Sequence, residues 1–173
     1  MSDDPAVQGR ALLVAAAYVV LRRDDEVLLQ LRRGTGYLDG FWATTAGHVD
    51  PGESVHEAAV REVAEEAGVT VQVSDLVPLT TIHRFELGGP QVEQRCDVFF
   101  EARTWSGEPR RIEPTRCAAM DWFPLSALPV PVVPHELMVL TALAQRAALP
   151  AVMSLRMPPR VTTSTSPSTT ATG

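Results

Sequence analysis

The chain has 173 residues, of which 45% are hydrophobic and 21% charged, and a formal net charge of −6. That length suits one domain able to bury about two-thirds of the surface of its unfolded chain, and that balance excludes bulk disorder and a membrane class. The negative charge argues against a basic face for a long polynucleotide, but it leaves room for a small phosphorylated ligand when a metal ion supplies the positive charge.

Residues 1–9 read as a flexible polar segment, residues 10–150 as the folded domain and residues 151–173 as a disordered tail rich in Ser, Thr and Pro, too polar to offset its ordering entropy by burial. The apolar run at residues 11–21 follows Asp3 and Asp4 and is too short to cross a bilayer, so neither signal nor anchor is expected. Residues 12–21 and 26–32 form a hairpin across the polar turn at 22–25, and residues 41–47, 69–74, 76–85, 92–102 and 118–123 are further strand candidates. Two segments read as helices. The second, residues 134–148, opens with Pro134 in the first turn and repeats Leu137, Leu140, Ala144 and Ala147 at helical spacing. Strands outnumber helices, so the expected fold is mixed α/β of the α+β class. Cys96 and Cys117 allow at most one bridge, which makes a reducing cytoplasm with free thiols the expected setting.

The first helix carries the chemistry. Ser54 followed by Glu57 is a capping box, and Gly68 supplies the stop. Ala59, Val60, Val63, Ala64 and Ala67 make an apolar stripe at about 100° per residue. Glu57, Arg61, Glu62, Glu65 and Glu66 fall on the opposite arc, the last three crowded within about one turn. Such a cluster is either a solvated acidic face, tolerable at a few tenths of a kcal/mol per pair, or a divalent-cation site, because magnesium and manganese prefer carboxylate oxygen. Charge alone does not choose between them.

The wider spacing does. Gly47, five residues, Glu53, seven residues, then Arg61-Glu62-Val63-Ala64-Glu65-Glu66-Ala67-Gly68-Val69 resembles the Nudix box of MutT-like hydrolases, with all nine defined positions of the 23-residue motif filled. The resemblance implies a mixed sheet sandwiched between helices and a Mg2+ cofactor, with Mn2+ as the alternative. It implies Gly47 (through its carbonyl), Glu62, Glu65 and Glu66 as metal ligands, and Glu53 paired with Arg61 as the brace of the loop. The candidate catalytic residues are Glu65, Glu62, Arg61 and Glu113, with Glu65 the first choice of proton acceptor and Glu113 the second. Glu113 stands in residues 112–117, followed by Asp121-Trp122-Phe123. That stretch is similar to the Glu-Pro-x-Lys-Cys and Trp-Phe stretch of Nudix triphosphate pyrophosphatases, with Arg116 in place of the lysine.

The markers of ADP-ribose, dinucleoside-polyphosphate and NADH hydrolases are missing. The resemblance therefore implies hydrolysis of a nucleoside triphosphate to monophosphate and pyrophosphate, modified bases included. ADP-ribose or another nucleotide diphosphate is the alternative substrate, and a non-catalytic Nudix ligand sensor the alternative class. The two cysteines formally admit an isopentenyl diphosphate isomerase, but the surroundings of its ligands and catalytic cysteine are not found. Arg32 is the expected phosphate contact, Phe41 and Trp122 the expected stacking contacts, and His83 and His135 substrate neighbours at most, since they lack zinc-ligand spacing. The expected partner is a small nucleotide, with no long nucleic acid and no membrane. Homodimerisation, frequent in the family, is a further expectation.

Overall fold

The computed structural model describes residues 8–158. Eight strands, β1 (Val14–Arg23), β2 (Glu26–Arg32), β3 (Trp42–Ala43), β4 (Thr45–His48), β5 (Val77–Phe85), β6 (Arg95–Ala102), β7 (Cys117–Pro124) and β8 (Val152–Arg156), combine with two helices, α1 (Val55–Ala67) and α2 (Pro134–Ala144). The main path of the sheet is β3-β2-β1-β6-β5-β8, with β4 added to β1 and β7 to β2. β1 runs parallel to β6, and β5 parallel to β8, while the other pairings are antiparallel.

The position of the site follows from how β1 is shared. Residues Ala16 to Val19 pair with β4, whereas only Arg22 and Arg23 pair with β2, across the two-residue turn Asp24–Asp25 in which Asp24 takes φ 53°. The β3-β2-β7 part therefore splays from the β4-β1-β6-β5-β8 part, and a cleft opens between them. One face of β1 and β6, with Ala17, Val19, Leu21 and Phe100, packs on α1 through Ala58, Ala59, Val63 and Ala67. The other face, with Ala16, Tyr18 and Phe99, packs on α2 through Val139. The sheet is thus held between helices, as expected.

Several expectations need correction. Residues 69–74 are not a strand: Thr70 makes one isolated bridge with Ser106, and a 3-10 turn follows at Val73–Asp75. Residues 151–158 are not part of a disordered tail, because β8 pairs with β5 and sets Met153 and Leu155 against the core; residues 1–7 and 159–173 lie outside the described residues. α2 ends at Ala144, and its buried face is His135, Glu136, Val139 and Leu140, while Leu137 is 38% exposed. Four consecutive apolar residues, Leu137 to Leu140, mark no face by themselves, so tertiary packing chose it.

Candidate active site

α1 is framed as its ends require. The Ser54 hydroxyl accepts from the Glu57 N–H at 3.2 Å, the Glu57 carboxylate accepts from the Ser54 N–H at 2.8 Å, and Gly68 closes the helix at φ 69°. The buried arc, however, is turned from the expected one: Ala58 is buried and Ala64 exposed. At about 100° per residue the turned arc runs across Glu62 and Glu66, which consequently point toward the sheet rather than away from it. Of the three crowded glutamates, Glu65, at 54% exposure, is the one that faces outward.

Each carboxylate has its own setting. Glu66 Oε2 spans the cleft, accepting from Gln30 Nε2 of β2 at 2.6 Å and from the Ala46 N–H of β4 at 3.0 Å. Burial, outweighing those two bonds, pushes its pKa up to about 8. Glu62 lies over Gly47, and a β-carbon at Gly47 would fall inside its carboxylate; burial again raises its pKa, against the pull of Arg61. Arg61 binds Glu62 Oε1 at 2.7 Å and Glu65 Oε2 at 3.2 Å through Nη1. It meets both oxygens of Glu53 at 2.9 Å through Nε and Nη2, and donates to the His48 carbonyl at 2.9 Å. The Arg61 guanidinium holds Glu53 down to about 2. Glu53 and Arg61 thus join the loop to the helix as expected.

The cleft forms one cavity of about 470 Å³, and Gly47, Glu62, Glu65, Glu66, Glu113 and Arg32 all line it. Its far wall is polar and aromatic. Tyr18 stacks on Phe99 at 4.5 Å and its hydroxyl lies 3.2 Å from His135 Nε2, while Glu136 accepts from both the N–H and the hydroxyl of Thr44. Burial pushes Glu136 up to about 7 and His135 down to about 2, so the imidazole is neutral at physiological pH. Arg32 is largely spent on its own loop, donating to the Tyr37 carbonyl at 2.9 Å and the Thr35 hydroxyl at 3.0 Å.

The NUDIX domain model matches residues 12–142. The chain belongs to the Nudix family. It is 30% identical over 146 residues to the human 8-oxo-dGDP phosphatase NUDT18, covering 81% of this chain but only 42% of that protein. It is 28% identical over 141 residues to the CTP pyrophosphohydrolase of Escherichia coli (strain K12), covering 80% of this chain and 98% of that one. The crystal structure of a MutT NUDIX hydrolase from Burkholderia pseudomallei aligns with a TM-score of 0.67 at 28% identity, covering 75% of this chain and 97% of that one.

For the Nudix fold, a divalent ion is the implied cofactor, and the residues fit it. The donors are carboxylate oxygens and a backbone carbonyl, the set that hard cations prefer, and the space kept free of a side chain at Gly47 is filled by the Glu62 carboxylate. Among the described residues no three His, Cys, Asp or Glu side chains stand as a finished cage, since Arg61 and Gln30 engage the glutamates instead.

Two expected substrate contacts are not at this cavity. Trp122 lies at a separate shallow pocket, stacked on Trp105 at 6.0 Å beneath the Arg23 guanidinium. Phe41 anchors the loop through its backbone, its carbonyl accepting from the Arg32 N–H at 2.9 Å. Trp122 is occupied in packing against the α1 side of the core. His83 is likewise elsewhere, stacked on Phe85. The cavity also takes in Tyr18, Gln30, Arg84, Arg95 and Glu136, which the sequence did not single out; Tyr18 and Gln30 carried a signal, each a polar group inside an apolar run, whereas Arg84 and Arg95 stand among polar neighbours.

Proposed function

We propose that this chain hydrolyses a nucleoside triphosphate to monophosphate and pyrophosphate with Mg2+, or Mn2+ in its place. The observation that carries the reading is the convergence of Glu62, Glu65, Glu66, Gly47 and Glu113 on one cavity whose far wall is aromatic and cationic. Glu62, Glu65, Glu66 and the Gly47 carbonyl would hold the ion, which when bound activates water and neutralises charge on the leaving phosphate. Arg61 orients Glu62 and Glu65 from behind, and Gln30 fixes Glu66. Glu65, the exposed member, accepts the proton of the attacking water, with Glu113, next to the Ile112 whose N–H meets the Glu66 carbonyl, as the other candidate. Tyr37 supplies aromatic surface for the nucleoside.

The likeness to a CTP pyrophosphohydrolase along 98% of that chain supports the triphosphate. The human relative's name makes a nucleoside diphosphate the second reading. No helix among the described residues is long and apolar enough to cross a membrane; with Cys96 and Cys117 both free thiols, we place the enzyme in the cytoplasm.

The test is release of phosphate, with added pyrophosphatase, from nucleoside triphosphates, nucleoside diphosphates and ADP-ribose, with phosphatase coupling where the product is a phosphomonoester. A triphosphate turned over by wild type and not by Glu65→Gln supports the reading. Turnover of ADP-ribose or a nucleoside diphosphate alone overturns the substrate class. No turnover with either cation favours a ligand sensor.

A further inference from the structure

The β6 wall of the cavity carries a charge arrangement that the chemistry above does not use. Arg84 and Arg95 are cross-strand neighbours on β5 and β6, and Asp97 lies two residues along from Arg95 on the same face. Asp97 is fully buried and gives Oδ2 to Arg84 Nε in a close ion pair. Its other oxygen lies 3.7 Å from Arg95 Nε, too far for a hydrogen bond, and both of those atoms are buried without a hydrogen-bond partner.

One buried carboxylate therefore faces two guanidinium groups and is hydrogen-bonded only to that of Arg84, so no hydrogen bond to Asp97 holds the Arg95 head group. The Arg95 side chain is 16% exposed and lines the cavity. The acids Asp50 and Glu93 line it too, but Asp50 is 69% exposed and already within 4.0 Å of Arg61.

β4, β1 and β6 are adjacent, and Arg95 pairs with Val14, two residues along β1 from the Ala16 that faces His48, which puts Arg95 about 12 Å from His48 and about 14 Å from Gly47. A polyphosphate chain and an arginine side chain together bridge that distance. A guanidinium matches phosphate with two parallel donors, which a nucleobase carbonyl does not.

We propose that Arg95 grips a phosphate of the substrate on the β6 side of the cavity, opposite the α1 carboxylates, and so selects for phosphate-chain length. The inference rests on the hydrolase reading in that the anion is taken to be the substrate's own. Arg95→Gln and Arg95→Lys are compared with wild type, and Arg103→Gln, at an exposed arginine paired with Glu101, serves as the surface control. Binding of inorganic tripolyphosphate is measured by calorimetry without divalent ion, beside binding of an unphosphorylated nucleoside, and denaturant unfolding confirms that each variant is folded.

Arg95→Gln is expected to weaken tripolyphosphate binding by about tenfold or more, with Arg95→Lys between, Arg103→Gln unchanged and nucleoside binding untouched. In turnover, KM rises with kcat nearly constant, and more for a triphosphate than for a diphosphate of the same base. Unchanged tripolyphosphate binding in folded Arg95→Gln overturns the proposal, as does an equal loss of nucleoside binding, which would make Arg95 a base contact. If wild type turns over no nucleotide while Arg95→Gln still loses tripolyphosphate, the hydrolase reading fails and the anion site stands.

Discussion

Replacing Gly47 by alanine tests the closest approach in the site. Gly47 has an ordinary backbone conformation that alanine adopts without strain, so the whole effect comes from one methyl group placed where the Glu62 carboxylate lies. Glu62 must swing away, giving up its 2.7 Å bond to Arg61. A hydrogen bond between charged groups contributes about 1.5–3 kcal/mol, and forcing a methyl into a packed site costs about 1–3 kcal/mol. Both partners keep some solvent contact, Glu62 at 13% and Arg61 at 28% exposure, which favours the lower end. Together these give a loss of roughly 2–3 kcal/mol in urea unfolding at neutral pH. Displacing a ligand by about 1 Å lowers turnover roughly 100-fold, read by the phosphate-release assay. The same substitution in a Glu62→Ala background meets no carboxylate, so its stability cost should vanish, or reverse by about 0.5 kcal/mol as alanine stiffens the unfolded chain. Wild-type turnover in Gly47→Ala, or an undiminished stability cost in the Glu62→Ala background, would refute the packing argument.

Glu136→Gln probes the buried acid on α2. Its pKa is raised from 4.5 to about 7, so the native state binds the proton more tightly than the unfolded chain; its contribution to stability is full below about pH 4.5 and lost as pH rises through about 7. Unfolding curves of wild type and variant should therefore separate across that interval, with the variant more stable at pH 8 by on the order of 2–3 kcal/mol; parallel curves would count against it. Trp122→Ala should lose about 2 kcal/mol of stability, through its contacts with Trp105 and Arg23, and leave KM unchanged, whereas a KM effect would return Trp122 to the substrate site. Deleting residues 151–173 removes β8 and uncovers the edge of β5. Calorimetry should show a loss of about 2–3 kcal/mol and sedimentation an aggregation tendency, and an unaltered melting temperature would show that β8 contributes nothing.

Much of the site was legible because its determinants are close in sequence. Residues Gly47 to Val69 carry a capping box, a terminating glycine and carboxylates at helical spacing, and local geometry alone puts Glu62, Glu65 and Glu66 within one turn. The hairpin β1–β2 was legible for the same reason, although its turn is two residues and not the four expected, since Arg22 and Arg23 pair with Val27 and Glu26. The orientation of α1 was not: counting apolar residues placed Glu66 on the solvent side, but Gln30 and Ala46 supply donors that draw it into the cleft. Phe41 and Trp122 were expected at the substrate for their aromatic faces alone, which say nothing of the direction in which they point.

The sequence by itself determined the family, the helix that presents the carboxylates and the β1–β2 hairpin, since each depends on spacings between residues close in the chain. Only the tertiary structure decided the far wall of the cavity, where Tyr18, Arg84, Arg95, His135 and Glu136 come from four separate elements. It also decided that residues 152–156 complete the sheet. A strand edge and a cavity wall are made by pairing across long stretches of chain, so their energy depends on partners that no local pattern specifies.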